Sequence, residues 1–329
     1  MQKRQQVKIH AMRIVAAGES KAAFRARNRA RILPAALAPG LHPTQSHDLI
    51  FHGGRTITDL SFFNFFVGGA DSWATSDVDN INSALAAAMS DRNLNNVMQQ
   101  YFNSAISSHF TGSEILAGAR PPVVSQGDVE DLAIRLFGTG KLGTPDFGST
   151  VFNFMLPSKS ILNDNPGAST SLLAADYASH EKDKSAIPAP DEGDSTGGLG
   201  GYHGSASFHG QTIYYAIGVF SETLPDGSKN GIPVFDQPWK NVVATFYHEL
   251  NEARTDPDVE DANRTGQLDL VGWTSRQGEE CGDFPVFEAN PLTKVFQEVP
   301  LTNGSGTVPV QFQYSNAVHG PEGPIPQPH

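Results

Sequence analysis

The sequence predicts an α/β protein, with α+β as the alternative, in which one body is built around a single core sheet. Two observations predict this class. Strand-like apolar runs alternate with helix-like periods along the first two thirds of the chain, a pattern typical of a sheet covered by helices. The 329 residues are 39% hydrophobic and include a further 32 glycines, which is ordinary for a globular protein of this size.

Four strands are predicted in the body and a fifth at its edge. A short turn separates the first two strands, and His52 is interpreted as a turn residue rather than a ligand. Pro309 argues against a central position for the last strand, because proline cannot donate a hydrogen bond to a neighbouring strand. In chain order, the predicted strands are residues 49–57, 61–67, 149–156, 211–220 and 307–314.

Three helices are predicted from their hydrophobic period and their end residues. Asp77 begins the first helix, and Ser125 or Asp128 caps the second, which Gly138 ends. Pro238 begins the third, since proline is well tolerated in a first helical turn. The predicted helices are residues 78–100, 127–137 and 238–254.

The remaining residues are assigned to an arm, an insertion and a tail. Residues 1–47 are predicted to be a basic arm with a proline-rich linker, and residues 48–320 a single domain. A loop-rich insertion at about residues 158–210 is longer than most connections in a compact domain, so we expect a lid or a mobile loop. The proline-rich residues 321–329 are expected to fray.

Charge is distributed unevenly between the arm and the body. The net charge is −12, yet residues 1–33 hold nine of the 23 Lys and Arg residues and one of the 35 acidic residues. So acidic a body repels a phosphate backbone, and nucleic acid is therefore disfavoured as its partner. The arm is suited to docking on another protein or on an acidic surface.

Cysteine content and hydropathy exclude several further classes of protein. The single cysteine, Cys281, excludes an internal disulfide framework and a cysteine-rich zinc module. No uninterrupted apolar run approaches the ~18–20 residues of a membrane span, and no signal-peptide core is evident. The compartment is left open.

The strongest chemical motif is His248-Glu249-x-x-Glu252 on the third predicted helix. Its apolar residues, Phe246 and Leu250 among them, form one stripe opposite His248. His248 and Glu252 are four residues apart and can reach one ion, while Glu249 points beside it, toward the attacking water. HExxH zinc peptidases use this geometry, with the glutamate as general base.

A solvated helix face with an i, i+4 pair is the alternative interpretation of this motif. Residues 247–283 contain ten acidic residues and three arginines, and such crowding of like charge needs a cation or solvent to relieve it. The neighbouring sequence therefore favours a metal site. Glu280, Asp283 or Asp256 would supply the third ligand, which leaves one coordination position open for water.

A longer pattern surrounds the motif. Residues 247–257 read YHELNEARTDP, and Gly272-Trp273 and Glu280-Cys-Gly-Asp283 follow them. This resembles the HELxEAxTDP…W…GEIGD pattern of the plant EXORDIUM (phosphate-induced protein 1) family and its bacterial zincin-like relatives, and a weaker likeness spans residues 49–284. The chain departs from the pattern at Cys281, where the family has an aliphatic residue, and at residue 284, where the family's usual cysteine is replaced by phenylalanine.

The resemblance implies a zincin-like body, in which a mixed sheet packs on the HExxE helix, and it implies secretion. It places a metal at His248 and Glu252, closed by Glu280 or Asp283, with Glu249 as the base. In zincin-like folds an edge strand beside the site helix binds extended peptide. Strand 211–220, with Tyr214, and the preceding His203 would therefore line the substrate cleft; the alternative for His203 is a turn in a glycine-rich loop.

Together these features predict a Zn²⁺-dependent, metallopeptidase-like hydrolase that acts on a peptide or protein substrate. The alternative is a non-catalytic secreted or packaged binding protein with a structural ion in a zincin-like body. Ca²⁺ is the candidate for a structural ion, and residues 191–197 have the composition of a Ca²⁺ loop without the ligand spacing of an EF-hand.

Overall fold

A computed structural model describes residues 36–164 and 193–322 of this chain. The predicted basic arm up to residue 35, most of the predicted insertion and residues 323–329 lie outside the described residues. The helices are α1 (Thr75–Ser90), α2 (Gln126–Gly138), α3 (Pro238–Thr255), α4 (Val259–Thr265) and α5 (Asp283–Glu288). The strands are β1 (Ile50–Phe51), β2 (Asp59–Phe66), β3 (Ser107–Ile115), β4 (Val123–Val124), β5 (Thr150–Met155), β6 (Ile161–Leu162), β7 (Gly201–Phe208), β8 (Gln211–Gly218), β9 (Glu222–Thr223), β10 (Lys229–Asn230), β11 (Trp273–Thr274), β12 (Phe296–Pro300), β13 (Thr307–Gln311), β14 (Tyr314–Ser315) and β15 (Gly320–Pro321).

One five-stranded sheet organises the fold, with the strand order β3-β2-β5-β8-β7. The first four strands are parallel, and β7 runs antiparallel to β8 at the edge. Alternate side chains face opposite layers: Phe62 packs with α1 and α3, whereas Phe65 packs with α2. The predicted α/β class, with helices on a mixed sheet, is confirmed.

The caps of two helices agree with their predictions. Ser125 caps α2 in a reciprocal capping box with Asp128, so that each residue satisfies an amide of the other. Pro238 occupies the first turn of α3. No helix within residues 36–164 and 193–322 is long and apolar enough to cross a membrane.

The first predicted helix is shorter than expected, and the prediction of one helix to residue 100 is wrong. The Asp91 carboxylate accepts from the amides of Asn93 and Leu94 at 3.0 and 2.9 Å. The side-chain amide of Asn95 donates to the carbonyl oxygens of Ala88 and Met89. These side chains satisfy the backbone groups at the end of α1, and a 3₁₀ helix, Leu94–Tyr101, follows.

The first two predicted strands do not form a hairpin. β1 pairs with β11, more than 200 residues away. The pairing continues beyond β1, because the His52 amide donates to the Gly272 carbonyl at 2.8 Å. A Cβ on Gly54 would lie 2.2 Å from the Leu270 carbonyl oxygen. Only glycine allows this close backbone approach, which holds residues 52–54 against residues 270–272.

Two strands of the main sheet, β3 and β7, were not predicted. β7 occupies residues 201–208, which the sequence assigned to the end of the insertion, and the insertion prediction is wrong there. Because β7 is the edge, the predicted edge strand 211–220 is internal: β8 pairs with β5 on one side and β7 on the other. The predicted strand 307–314 is β13, in a separate ribbon with β12.

The body extends beyond its predicted limits at both ends. Ala38 and Leu41 are buried in the core, and the Ala38 amide donates to the Pro321 carbonyl at 2.8 Å. Pro321 itself belongs to β15, which pairs with β14. Apolar residues of the predicted linker therefore pack in the same core as the body.

Candidate metal centre

The HExxE helix, α3, is buried on both sides rather than on one. Its apolar side chains, such as Phe246 and Leu250, pack in the core against the sheet. On the other side, Glu249 and Glu252 are only 4% and 3% exposed, beneath β7 and the loop that precedes α5. The interpretation of the motif as a solvated acidic face is therefore wrong.

The predicted ligands His248, Glu252 and Asp283 lie together. One ligand atom from each of the three lies within 4.8 Å of the other two, so this set can hold a metal ion. His248 Nε2 is 3.0 Å from Glu252 Oε2, and the Gly282 amide donates to the other oxygen of Glu252 at 2.8 Å. His248 and Asp283 are half-buried, whereas Glu252 is buried, so two members of this set retain some exposure to solvent.

A second set combines His203 with the two glutamates of α3. His203 Nδ1 is 3.5 Å from Glu249 Oε2 and 3.9 Å from Glu252 Oε2, and the three residues also satisfy the 4.8 Å condition. All three side chains are buried. The alternative of a turn histidine is wrong, because His203 lies in β7 with its ring against α3; its place in a substrate cleft stays a prediction.

Both histidine rings are oriented by an acceptor on the nitrogen that faces away from Glu249 and Glu252. Gln311 donates through Nε2 to the carbonyl oxygens of Gly282 and Phe312, so its Oε1 accepts from His248 Nδ1. His203 Nε2 is 3.2 Å from the carbonyl oxygen of Asp256. A carbonyl only accepts, so in each neutral ring the other nitrogen presents its lone pair to the glutamates.

Glu280 and Asp256, the other predicted third ligands, border the two sets. Glu280 Oε1 is buried without a hydrogen-bond partner and lies 3.6 Å from His203 Nε2. One oxygen of Asp256 accepts from the Gly272 amide at 2.8 Å, and the other has no partner. Neither carboxylate belongs to a set of three, and Asp283 is the acid that closes the set at His248.

Burial and neighbouring charges shift the pKa values of these groups. Burial lowers the pKa of a histidine, but the hydrogen bond to Glu249 and the charges of both glutamates raise the pKa of His203 to about 9. Burial also acts to lower the pKa of His248, but the neighbouring charges, chiefly that of Glu252, raise it well above its ordinary value. Protonated histidines thus offset part of the acidic charge, and a divalent ion would compete with those protons.

The pKa values of most carboxylic acids in the cluster are raised as well, which favours their neutral form. Burial raises the pKa of Asp283 and that of Asp256 to about 7, and it raises the pKa of Glu280 well above its ordinary value. Glu252 is the exception: burial acts to raise its pKa, but the charge and hydrogen bond of His248 lower it. Without an ion, protons therefore neutralise much of this buried cluster.

Two other sequence predictions lie away from the cluster. Tyr214, predicted in the substrate cleft, is in the internal strand β8, and its buried hydroxyl donates to Asp258 at 2.7 Å. The edge position predicted for its strand is wrong because β7 takes the edge. Of the suggested Ca²⁺ loop, residues 191 and 192 are outside the described part of the chain, and Asp194 caps a 3₁₀ turn with its carboxylate.

Gly282 allows the loop before α5 to approach His248. A Cβ at this position would lie 2.4 Å from Nδ1 of the His248 ring, and Gln311 holds that ring from the same side. We expect Gly282→Ala to lower the free energy of unfolding by about 1–3 kcal/mol, the usual effect of overpacking a buried site. Gly138→Ala is the matched control, since nothing lies within 4 Å of its added Cβ. Equal denaturation midpoints for the two variants would contradict this close fit.

The chain matches no protein-family model, no curated protein and no solved structure. The functional interpretation therefore depends on the geometry of the two histidines and the acidic residues around them.

Proposed function

We propose that this protein is a metal-dependent hydrolase of zincin-like architecture, which cleaves peptide or amide bonds. The observation that carries the proposal is the half-open set His248, Glu252 and Asp283, with the Glu249 carboxylate beside it: Glu249 Oε1 is 3.9 Å from His248 Nε2. The HExxE motif predicts two of these ligands, His248 and Glu252, and the base Glu249, while Asp283 is one of the three acids that were open as the third ligand.

The chemistry of the donors fits Zn²⁺. One imidazole nitrogen and two carboxylate oxygens are common zinc ligands and leave a fourth position open, whereas Ca²⁺ takes oxygen ligands. In the described residues, no Lys or Arg forms an ion pair with any carboxylate of the cluster. Glu280 also has a buried oxygen without a hydrogen-bond partner, and a nearby cation would offset the cost of burying that polar group.

A bound Zn²⁺ would supply a Lewis acid that polarises the substrate carbonyl and makes water more acidic. Glu249 then acts as general base: its carboxylate takes the proton of the attacking water and returns it to the leaving amine. Glu252 and Asp283 contribute negative charge, and the Gly282 amide fixes the orientation of Glu252. Gln311 keeps the ligating nitrogen of His248 turned toward the site.

The arrangement of the sheet supports the zincin-like interpretation. The sheet has four parallel strands and one antiparallel edge strand, β7, and β7 lies beside the HExxE helix and contributes His203. An extended peptide would be expected to approach along this side of the molecule rather than along β8.

A non-catalytic protein with a structural ion is the second candidate. The burial of His203, Glu249 and Glu252 favours it, because an ion enclosed by these residues would have little access to substrate. The two candidates differ in the ligands of the first ion, which lies at His248 in the hydrolase and at His203 in the structural alternative.

Metal content and thermal stability test the proposal. We expect about one equivalent of Zn²⁺ in the native protein by elemental analysis, and a lower Tm after EDTA, since an ion at 100 times its Kd stabilises by about 2.7 kcal/mol. His248→Asn should remove the ion and the EDTA effect. His109→Asn, at an exposed histidine on β3, should retain both.

Native protein without stoichiometric metal, and with the same Tm in EDTA, would contradict the proposal. An ion that persists in His248→Asn would instead favour the structural alternative at His203.

A further inference from the structure

We infer that the set His203, Glu249 and Glu252 is a second divalent-cation site, which shares Glu252 with the first and inhibits hydrolysis when it fills. This inference rests on the proposed function, because the first ion and the base both belong to it. It adds a regulatory site that involves His203 on β7.

The orientation of His203 is the first argument for this site. Its Nε2 donates to the Asp256 carbonyl at 3.2 Å, so Nδ1 of the neutral ring faces Glu249 and Glu252 at 3.5 and 3.9 Å. An outer acceptor that fixes the ring in this way is the usual partner of a metal-binding histidine. Gln311 has the same role at His248, so both sets have the same construction.

The charge of the cluster is the second argument. Five carboxylic acids are buried or half-buried around the two histidines: Glu249, Glu252, Asp256, Glu280 and Asp283. Burying so many carboxylic acids in one place is costly, and two divalent ions would offset more of that cost than one. The buried, unpartnered Glu280 Oε1 lies 3.6 Å from His203 Nε2, so a further carboxylic acid borders the His203 ring beside the nitrogen that donates to Asp256.

The two sites should differ in affinity and in effect. Two cations a few ångströms apart repel each other, so the second binds more weakly than the first. Glu249 is a ligand of the second site and the base of the proposed reaction. A cation held by its carboxylate competes with the proton that this group must accept, so turnover should fall as the second site fills.

The test is a Zn²⁺ titration of the metal-free full chain in competition with a chromophoric chelator. We expect two equivalents in the wild type, the second weaker, and one equivalent in His203→Asn. His209→Asn is the matched control and should bind two; residue 209 lies in the adjacent β7–β8 turn with a φ of 50°, which asparagine tolerates. Peptide hydrolysis should fall at the second equivalent in the wild type and the control but not in His203→Asn.

One equivalent in the wild type, or two in a folded His203→Asn, would overturn the second site. If that single equivalent is lost in His248→Asn, the proposed first site stands. The absence of any Zn²⁺ uptake would overturn the proposed function and this inference together. Should circular dichroism show that His203→Asn is unfolded, the wild-type stoichiometry decides alone.

Discussion

Glu249→Gln is expected to reduce the rate of peptide hydrolysis by about 100- to 10,000-fold, the usual contribution of a positioned general base. Glutamine has nearly the same shape as glutamate but cannot accept the proton of the attacking water at neutral pH. The three residues of the proposed Zn²⁺ site, His248, Glu252 and Asp283, are unchanged in this variant. Zn²⁺ at a stoichiometry of one should therefore be retained while turnover is lost.

The measurement is turnover of a quenched fluorescent peptide library, paired with elemental analysis of the same samples. Glu114→Gln is the matched control, because Glu114 is on β3 and forms an ion pair with Lys141 far from the two histidines. Unchanged turnover in Glu249→Gln would exclude Glu249 as the base. Loss of the Zn²⁺ together with turnover would make Glu249 a ligand and favour the structural alternative.

Helix α3 is predictable because the sequence signals that define it are close together in the chain. Pro238 at its start, the apolar stripe and the HExxE spacing all lie within 18 residues, and the spacing places His248 and Glu252 on one face whatever the rest of the chain does. Asp283 was one of three open choices. Only the loop that packs Gly282 against the His248 ring distinguishes it from Glu280 and Asp256.

The role of His203 depends on strand pairing across the sheet, which no local pattern specifies. β7 brings His203 opposite Ala216 of β8, and it is the packing of α3 on these strands that places the ring beside Glu249. Its short glycine- and serine-containing sequence has little of the apolar alternation that predicts a strand. The same reason explains why β7 was assigned to the insertion.

The high density of acidic residues in the sequence predicts a metal site but does not identify which of these acids belong to it. Five of the ten in residues 247–283 converge on the histidines, whereas three of the others accept from partners elsewhere: Asp258 from Tyr214, Glu260 from Gln126, and Glu279 from Ser275. Those partners lie on α2, β8 and the loop before α5. Sequence separation hides such pairs, so the charge count alone overstated the size of the cluster.

Gln311 is the site residue for which the sequence had no signal, since 63 positions separate it from His248. We expect Gln311→Leu to weaken Zn²⁺ binding by about 10- to 100-fold, the usual effect of removing an outer partner of a metal-binding histidine. Leucine leaves the Nδ1 hydrogen of His248 without its acceptor, so the ring is free to change tautomer or rotate.

Competition with a chelator measures the affinity, and the visible spectrum of the Co²⁺-substituted protein reports on the geometry at the ion. Gln313→Leu is the matched control: Gln313 is equally buried two residues along the chain, and it accepts from Cys281 instead of His248. A positioning role requires that Gln311→Leu alone changes the affinity and the Co²⁺ spectrum. If both leucine variants weaken binding to the same extent, Gln311 acts only through the stability of the fold. The loss of its hydrogen bond to His248 would then have no separate effect on the ion.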